Sequence, residues 1–408
     1  MLFIRNLIRR VNRYKDDHEA VFFFTKTCEY INKWGYPVGL SILEENFTPV
    51  NPRLIFLVIF NTAFVFFNIY SVYVRRSLDI VEISMSCVPF GLALQGLVKQ
   101  ATFYMNYKEL KDMVNSGAEF YHLVLYEKMK KAARDFIFFA NMIIMHFVRY
   151  AYIIAVALTF FIPIIYSCLF GETRTLPFEV EIPFTDIQNN WGHYWLNFWY
   201  QAMSCIYVTI GLVACDGTYI VLLTNAFTQL ENIYFELENL DILTQHRNVE
   251  KQSKAISEKL NHIIGLHQEY LKFISSVNKM FLWLFTVNIV SMVFQIVISL
   301  FITVSANTKI SAPIFTLLGT SQLLLCCLVG TLLENKHDKL VLCTYDICWY
   351  NMRIQEQKKL LLLLHATQRK VVIEYRFGAM NIPLFVEIYK KIYSGLTMLM
   401  QKRNIDGN

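Results

Sequence analysis

The sequence lacks the motifs of the common enzyme classes. It contains no G-x-x-x-x-G-K-[ST] phosphate loop, no H-E-x-x-H metal site, no G-x-S-x-G nucleophile elbow and no C-x-x-C pair. Its nine histidines are dispersed, without the spacing that metal ligands need. We therefore expect a protein that is not an enzyme and that uses no cofactor and no metal.

Charge is also scarce. Only 17% of the 408 residues are charged and 55% are hydrophobic, which is far more apolar than a soluble protein requires. Four runs contain no Asp, Glu, Lys or Arg and are long enough to cross a bilayer, namely 54–74, 187–215, 280–308 and 310–333. Two further spans are predicted at 83–98 and at 136–170. The second is interrupted only by Arg149, which is either a functional charge within the membrane or a snorkelling side chain. With a last helix at 377–401, these runs predict an all-α, seven-transmembrane protein.

The distribution of positive charge predicts the orientation. Most of the 38 Lys and Arg residues fall in segments that alternate with the spans, namely 1–53, 99–135, 223–279 and 334–376. Because cytoplasmic segments carry the excess of Lys and Arg, the N-terminus is expected in the cytoplasm and the C-terminus outside. Basic pairs such as Lys358–Lys359 fit this role, so we expect no nucleic-acid partner. The nine cysteines lie mostly within apolar runs and are expected to be small buried side chains.

These boundaries divide the chain into six parts. They are a cytoplasmic N-terminal segment (1–53), spans one to four (54–222), cytoplasmic extensions of spans four and five (223–279), spans five and six (280–333), an extension of span six with a further helix (334–376), and the last helix with the C-terminus (377–408). Apolar residues in the extensions recur every three or four positions, which predicts helices that pack into a cytoplasmic anchor bundle. The outer loop 166–191 is either a lid or a plain covering loop.

The last helix is too polar to lie in lipid alone. It carries Glu387, Lys390, Lys391, Ser394 and Gln401 within a length that can cross a bilayer. Ionisable groups at membrane depth normally face water or protein, so this helix is predicted to line a pore. The alternative is a tilted interfacial helix. A channel, a transporter and a signalling receptor remain as function classes. The absence of a visible inverted repeat disfavours the transporter.

The end of the chain resembles the insect odorant receptor family. The similarity lies in 330–350 with its terminal Trp349–Tyr350, in the leucine-rich helix 359–369, and in the pattern Phe385, Lys390, Tyr393 and Ser394. The resemblance implies a subunit of a ligand-gated, non-selective cation channel in the plasma membrane of a sensory-neuron dendrite. It implies a heterotetramer with the co-receptor Orco, surrounded by membrane lipid. The chain does not show the insertion between spans four and five that the co-receptor has, so it resembles the odorant-tuned subunits.

Two alternatives to an odorant-gated channel are a gustatory-type receptor channel and a metabotropic seven-helix chemoreceptor. The gustatory branch ends with a Thr-Tyr and Gln-Phe pattern in the last span. Here Thr344–Tyr345 comes too early and Gln401 is followed by Lys402, which argues against that branch.

The family resemblance also implies sites. In the pore, Met398 corresponds to the hydrophobic constriction and Gln401 to the adjacent polar ring. Lys390 and Lys391 are expected either to flank a wider inner vestibule or to be supplemented by co-receptor subunits that lack them. The resemblance places a small volatile ligand among twelve residues of spans two, three, four and six: Ile83, Cys87, Phe90, Tyr150, Ile153, Ala157, Phe160, Phe198, Ala202, Cys205, Phe315 and Leu318.

Overall fold

The computed structural model describes residues 19–41, 51–74, 80–123, 131, 150, 153–154, 156–157, 160–161, 176–245, 249–305 and 311–406. The helices are α1 (Glu19–Gly35), α2 (Pro52–Val74), α3 (Ile80–Met105), α4 (Tyr107–Leu123), α5 (Trp191–Gln245), α6 (Val249–Ser305), α7 (Ser311–Tyr345), α8 (Ile354–Thr367) and α9 (Ile382–Asp406). Two 3-10 turns lie at Tyr36–Val38 and Trp349–Asn351. Strands β1 (Glu374–Tyr375) and β2 (Gly378–Ala379) form an antiparallel hairpin in which Tyr375 pairs with Gly378.

Four helical stretches of the described chain are long and apolar enough to cross a membrane: α2, α5, Ser253–Ser305 of α6, and Ala312–Asn351 around α7. These correspond to predicted spans one, four, five and six. Predicted span two is α3. Most of predicted span three, including Arg149, lies outside the described residues, although 150, 153–154, 156–157 and 160–161 are helical.

Two helices are much longer than a bilayer is thick. Helix α5 has 55 residues and α6 has 57. At about 1.5 Å per residue each is roughly 80 Å long, whereas the hydrocarbon core measures about 30 Å. The surplus parts pack with the end of α7 and with α8 around buried side chains such as Leu237, Leu260 and Leu360. We call 223–245, 249–279, 334–345 and α8 the extension bundle.

Polar contacts tie α8 to α6 in this bundle. The Ser253 hydroxyl donates to Glu356 Oε1 over 2.8 Å. Lys359 Nζ donates to Ser257 Oγ at 2.8 Å and to Asn261 Oδ1 at 2.9 Å. The apolar seam thus carries the packing, and these side chains set the register of α8.

Helix α9 begins at Ile382, later than the predicted position 377. The preceding residues form the β1–β2 hairpin, which Asn278 of α6 holds through hydrogen bonds to Val372 O at 2.8 Å and from Glu374 N at 3.1 Å. Asn381 then caps the helix, since its Oδ1 accepts from Leu384 N at 3.2 Å. Pro383 is compatible with this first turn because its missing N–H has no partner to lose there. The helix continues past Gln401 to Asp406.

Lys99 lies in a different environment from the one expected at the start of a cytoplasmic segment. Only 1% of the residue is exposed. Its Nζ atom forms an ion pair with Asp216 Oδ1 on α5 at 2.6 Å. A buried lysine needs such a partner, because an isolated charge in an apolar interior is costly.

Candidate functional site

An aromatic cavity, which we call the outer cavity, lies among α2, α3, α5, α6 and α7. Its volume is about 50 Å³, enough for more than one water molecule. Its walls are mostly apolar, with a few polar groups between them, as is usual for small-molecule sites. The lining residues are Phe64, Pro89, Leu92, Ala93, Val156, Phe178, Ser204, Cys205, Val208, Thr209, Leu212, Gln295, Phe315, Leu318, Gly319 and Gln322.

Phe178 comes from the non-helical segment 176–190, which leads into α5. Its ring lies 5.7 Å from Phe315, 6.2 Å from Phe160 and 6.4 Å from Phe64, measured between centroids. These contacts close one side of the outer cavity with aromatic edges and faces. Part of the predicted outer loop therefore enters the core and does not merely cover it.

Side chains from three helices hold this segment in place. Gln201 of α5 accepts from Phe178 N at 3.0 Å and donates to Phe178 O at 3.1 Å and Val180 O at 2.7 Å. Ser71 of α2 accepts from Glu181 N at 2.9 Å, and Ser86 of α3 donates to Glu179 O at 2.9 Å. The backbone of a buried irregular segment needs such partners, because no continuous helix or sheet pairs its N–H and C=O groups.

The predicted ligand residues fall into three groups. Cys205, Phe315 and Leu318 line the outer cavity. Cys87 and Phe160 pack in the apolar cluster around it, and Phe198 contacts Phe160 with centroids 5.7 Å apart. Neither these three nor the remaining six line the cavity. Of the six, Ala202 is buried, Ile83, Phe90 and Ala157 are half-buried, and Tyr150 and Ile153 are exposed on the isolated chain. Which of the twelve touch a ligand stays a prediction.

Sequence reasoning missed several lining residues. On α3 the cavity meets Pro89, Leu92 and Ala93, which lie within three residues of the predicted Phe90, and on α5 it extends to Leu212, about two turns beyond the predicted Cys205. Phe64 and Gln295 belong to spans one and five, where the family resemblance placed no ligand contact. Gln295 and Gln322 are amides within otherwise apolar helices, and such polar side chains were the available signal for inward-facing positions.

Three of the four predicted pore residues, Lys391, Met398 and Gln401, share one face of α9. Glu387, Lys391, Ser394 and Met398 are exposed, with Gln401 next along the same stripe. Their spacing of four and three residues keeps them in line along a helix. Ile388 and Ile392, in contrast, are buried against the rest of the chain. Lys391 Nζ donates to Glu387 Oε1 at 2.7 Å, and Lys390 lies beside this stripe.

The model of the 7tm odorant receptor family matches residues 79–393, which is more than half of the chain. The chain belongs to the 7tm odorant receptor family. This family is one of receptors and not of enzymes, and the chain is a multi-pass membrane protein. The expected all-α, seven-transmembrane fold is confirmed.

Known odorant receptors resemble the chain in sequence and in structure. Putative odorant receptor 83c of Drosophila melanogaster is 23% identical over 64% of this chain and 67% of that protein. Odorant receptor 22c of the same fly is 20% identical over 56% of this chain and 58% of its own length. The solved insect olfactory receptor OR5 from Machilis hrabei, alone and in complex with eugenol, superposes with a TM-score of 0.76 at 12% identity, over 93% of this chain and 99% of that one.

Proposed function

We propose that this odorant receptor family member is an odorant-tuned subunit of a ligand-gated, non-selective cation channel. The outer cavity binds a small, uncharged volatile molecule. Its aromatic walls supply apolar contact, while the amides of Gln295 and Gln322 and the hydroxyls of Ser204 and Thr209 offer a few polar contacts that orient the ligand. The complex of the related OR5 protein with eugenol supports binding of this class of molecule.

The exposed face of α9 carries the channel part of the proposal. Helix α9 buries Ile388 and Ile392 against its own chain and leaves Lys391, Ser394 and Met398 exposed. This arrangement suits a pore wall that several subunits share. Met398 forms an apolar constriction that gates by dewetting, and Gln401 adds a neutral ring with little selectivity among cations. The pore is completed by Orco subunits in a heterotetramer. The Glu387 carboxylate offsets the charge of Lys391, which otherwise would repel cations.

Helix α7 connects the two sites. It contributes Phe315, Leu318 and Gln322 to the outer cavity. Between them, the Thr320 hydroxyl contacts the Tyr389 hydroxyl of α9. A ligand that binds more tightly to one position of α7 also favours the corresponding position of α9. Gating requires such a difference in ligand contacts between the closed and open states.

Whole-cell recording tests the proposal. Cells that express the chain with Orco should give rapid inward cation current during exposure to a panel of volatile esters, alcohols, aldehydes and terpenes, and cells with the chain alone should not. Currents that depend on a G protein would contradict the channel mechanism. An epitope tag at the C-terminus should be labelled without permeabilisation if the proposed orientation is right.

Cysteine accessibility tests the pore face separately. With Orco present, a charged thiol reagent applied from outside should block current through Ser394→Cys and Met398→Cys. The wild type, with its own cysteines, and Ile392→Cys on the buried face are the matched controls. Equal block of current in all four proteins would show that α9 does not line the pore.

A further inference from the structure

A second cavity, which we call the inner cavity, lies beyond the outer one among α3, α5, α6 and α7. Its volume is similar, about 50 Å³, and it shares Leu318 and Gln322 with the outer cavity. Its apolar side consists chiefly of Phe103, Phe281 and Phe285. Its polar side differs from that of the outer cavity, because it contains an ion pair.

The ion pair decides the charge of any ligand. Lys99 and Asp216 both line the inner cavity, with Nζ and Oδ1 2.6 Å apart. The two charges compensate each other locally. A charged molecule would add a third charge that no side chain of the cavity lining balances, and this is costly in a membrane-embedded interior. The inner cavity thus favours a neutral molecule.

Two unpaired polar groups determine which functional group a ligand of the inner cavity should carry. Tyr219 is 7% and Asn288 is 5% exposed, and both line the inner cavity. Among the described residues, neither the Tyr219 hydroxyl nor Asn288 Oδ1 has a hydrogen-bond partner. Leaving such buried groups unpaired costs about 1–3 kcal/mol each. The Tyr219 ring packs against Phe281 and Phe285, at 5.5 and 4.9 Å, so its hydroxyl is held in position.

We propose that the inner cavity is a second ligand site, specific for a small neutral hydroxyl compound such as a phenol or an alcohol. A hydroxyl group can accept from Tyr219 and donate to Asn288 at once, whereas a ketone or an ether can only accept. The apolar body of the ligand packs against Phe103, Phe281 and Phe285. Although the two cavities share Leu318 and Gln322, Tyr219 and Asn288 line only the inner one, so this proposal does not depend on the role proposed for the outer cavity.

Phenol and toluene are suitable probes because they have nearly the same shape and differ in the hydroxyl group. The full chain is reconstituted in lipid nanodiscs, and the rise in unfolding temperature with probe concentration gives the affinity. Tyr219→Phe and Asn288→Leu should each weaken phenol binding about threefold to tenfold, the equivalent of one hydrogen bond. Toluene binding should be unchanged in both.

Leu317→Ala, at an exposed position of α7 that lines neither cavity, is the matched control and should leave phenol binding intact, whereas Phe315→Ala reports binding in the outer cavity. If phenol binding falls in Phe315→Ala and not in the two inner variants, phenol occupies the outer cavity and the proposal is wrong. Equal phenol affinity in the wild type and both inner variants also contradicts it. No saturable shift up to the solubility of phenol would mean that the cavity holds water only.

Discussion

Phe178 packs against Phe315 with their ring centroids 5.7 Å apart, although the two residues come from a non-helical segment and from α7. Both side chains are buried and both line the outer cavity. A segment that joins the helices at the outer end of the proposed membrane region therefore supplies one wall of the cavity. Its hydrogen bonds to Gln201 hold that wall in place.

Phe178→Ala should weaken the response to an activating odorant at least about tenfold, the equivalent of ~1.4 kcal/mol. The reason is that the substitution removes ring contacts to Phe315, Phe160 and Phe64 and opens one side of the cavity. Dose–response curves from cells with Orco measure the change. Phe184→Ala is the control, since Phe184 belongs to the same segment but is 98% exposed. If the two variants respond to the odorant with equal sensitivity, Phe178 does not contribute to ligand binding.

Tyr389→Phe should change gating without changing ligand affinity. It removes only the hydroxyl that contacts Thr320 of α7, and neither Tyr389 nor Thr320 lines the outer cavity. We expect an altered maximal current at saturating odorant with unchanged equilibrium binding to purified protein. Tyr345→Phe, at an exposed position on α7, should alter neither quantity. A parallel loss of binding in Tyr389→Phe would argue against a role restricted to coupling.

Gly330→Ala should destabilise the entry into α9. A Cβ atom at Gly330 would lie 1.9 Å from Met380 O, so the backbone must shift. Overpacking of this kind costs about 1–3 kcal/mol. Gly265→Ala in α6 is the matched control, because its Cβ would meet nothing within 4 Å. There alanine should stabilise by up to ~1 kcal/mol through helix propensity. Thermal unfolding of the two variants should therefore shift in opposite directions.

The Lys99–Asp216 pair should behave as a unit. Lys99→Met leaves the Asp216 carboxylate without its partner and should lower stability by up to about 3–5 kcal/mol. Lys99→Met combined with Asp216→Leu removes both charges and should recover most of the loss. Unfolding temperatures in nanodiscs give the coupling between the two positions. Additive losses would mean that the two charges do not stabilise each other.

Acid should destabilise the extension bundle. Burial and, to a smaller extent, the neighbouring His337 ring lower the pKa of His267 to about 4. Burial also lowers the pKa of His337. The carbonyl groups of Arg369 and Thr367 and the charge of Asp338 act in the opposite direction on His337 but do not outweigh burial. The unfolded chain therefore binds more protons than the folded one between about pH 6.5 and pH 4. The stabilisation is present above pH 6.5 and is lost as the pH falls through this window.

The pH dependence of unfolding in that window should be shallower in His267→Phe. His262→Gln, at an exposed position of the same helix, should keep the wild-type slope. Identical slopes in all three proteins would show that His267 does not contribute.

The sequence by itself determined the class of fold and the family. Charge-free runs that exceed the thickness of a bilayer are typical of membrane spans, and the three- and four-residue spacing beyond them predicts the extended helices α5 and α6. The motifs near the end of the chain were sufficient to indicate the odorant receptor family. The polar residues of α9 also marked that helix as unusual without knowledge of its neighbours.

Only the tertiary structure decided which side chains meet. A helix that is apolar on every side carries no signal for its inward face or for depth, so the prediction missed Leu92 and Ala93, just past Phe90 on α3, and Leu212, about two turns past Cys205 on α5. The partners of Lys99 and Phe178 are remote in sequence: Asp216 lies 117 positions away from Lys99, and Phe315 lies on another element. Such contacts depend on how the helices pack against each other, and no local pattern in the chain encodes them.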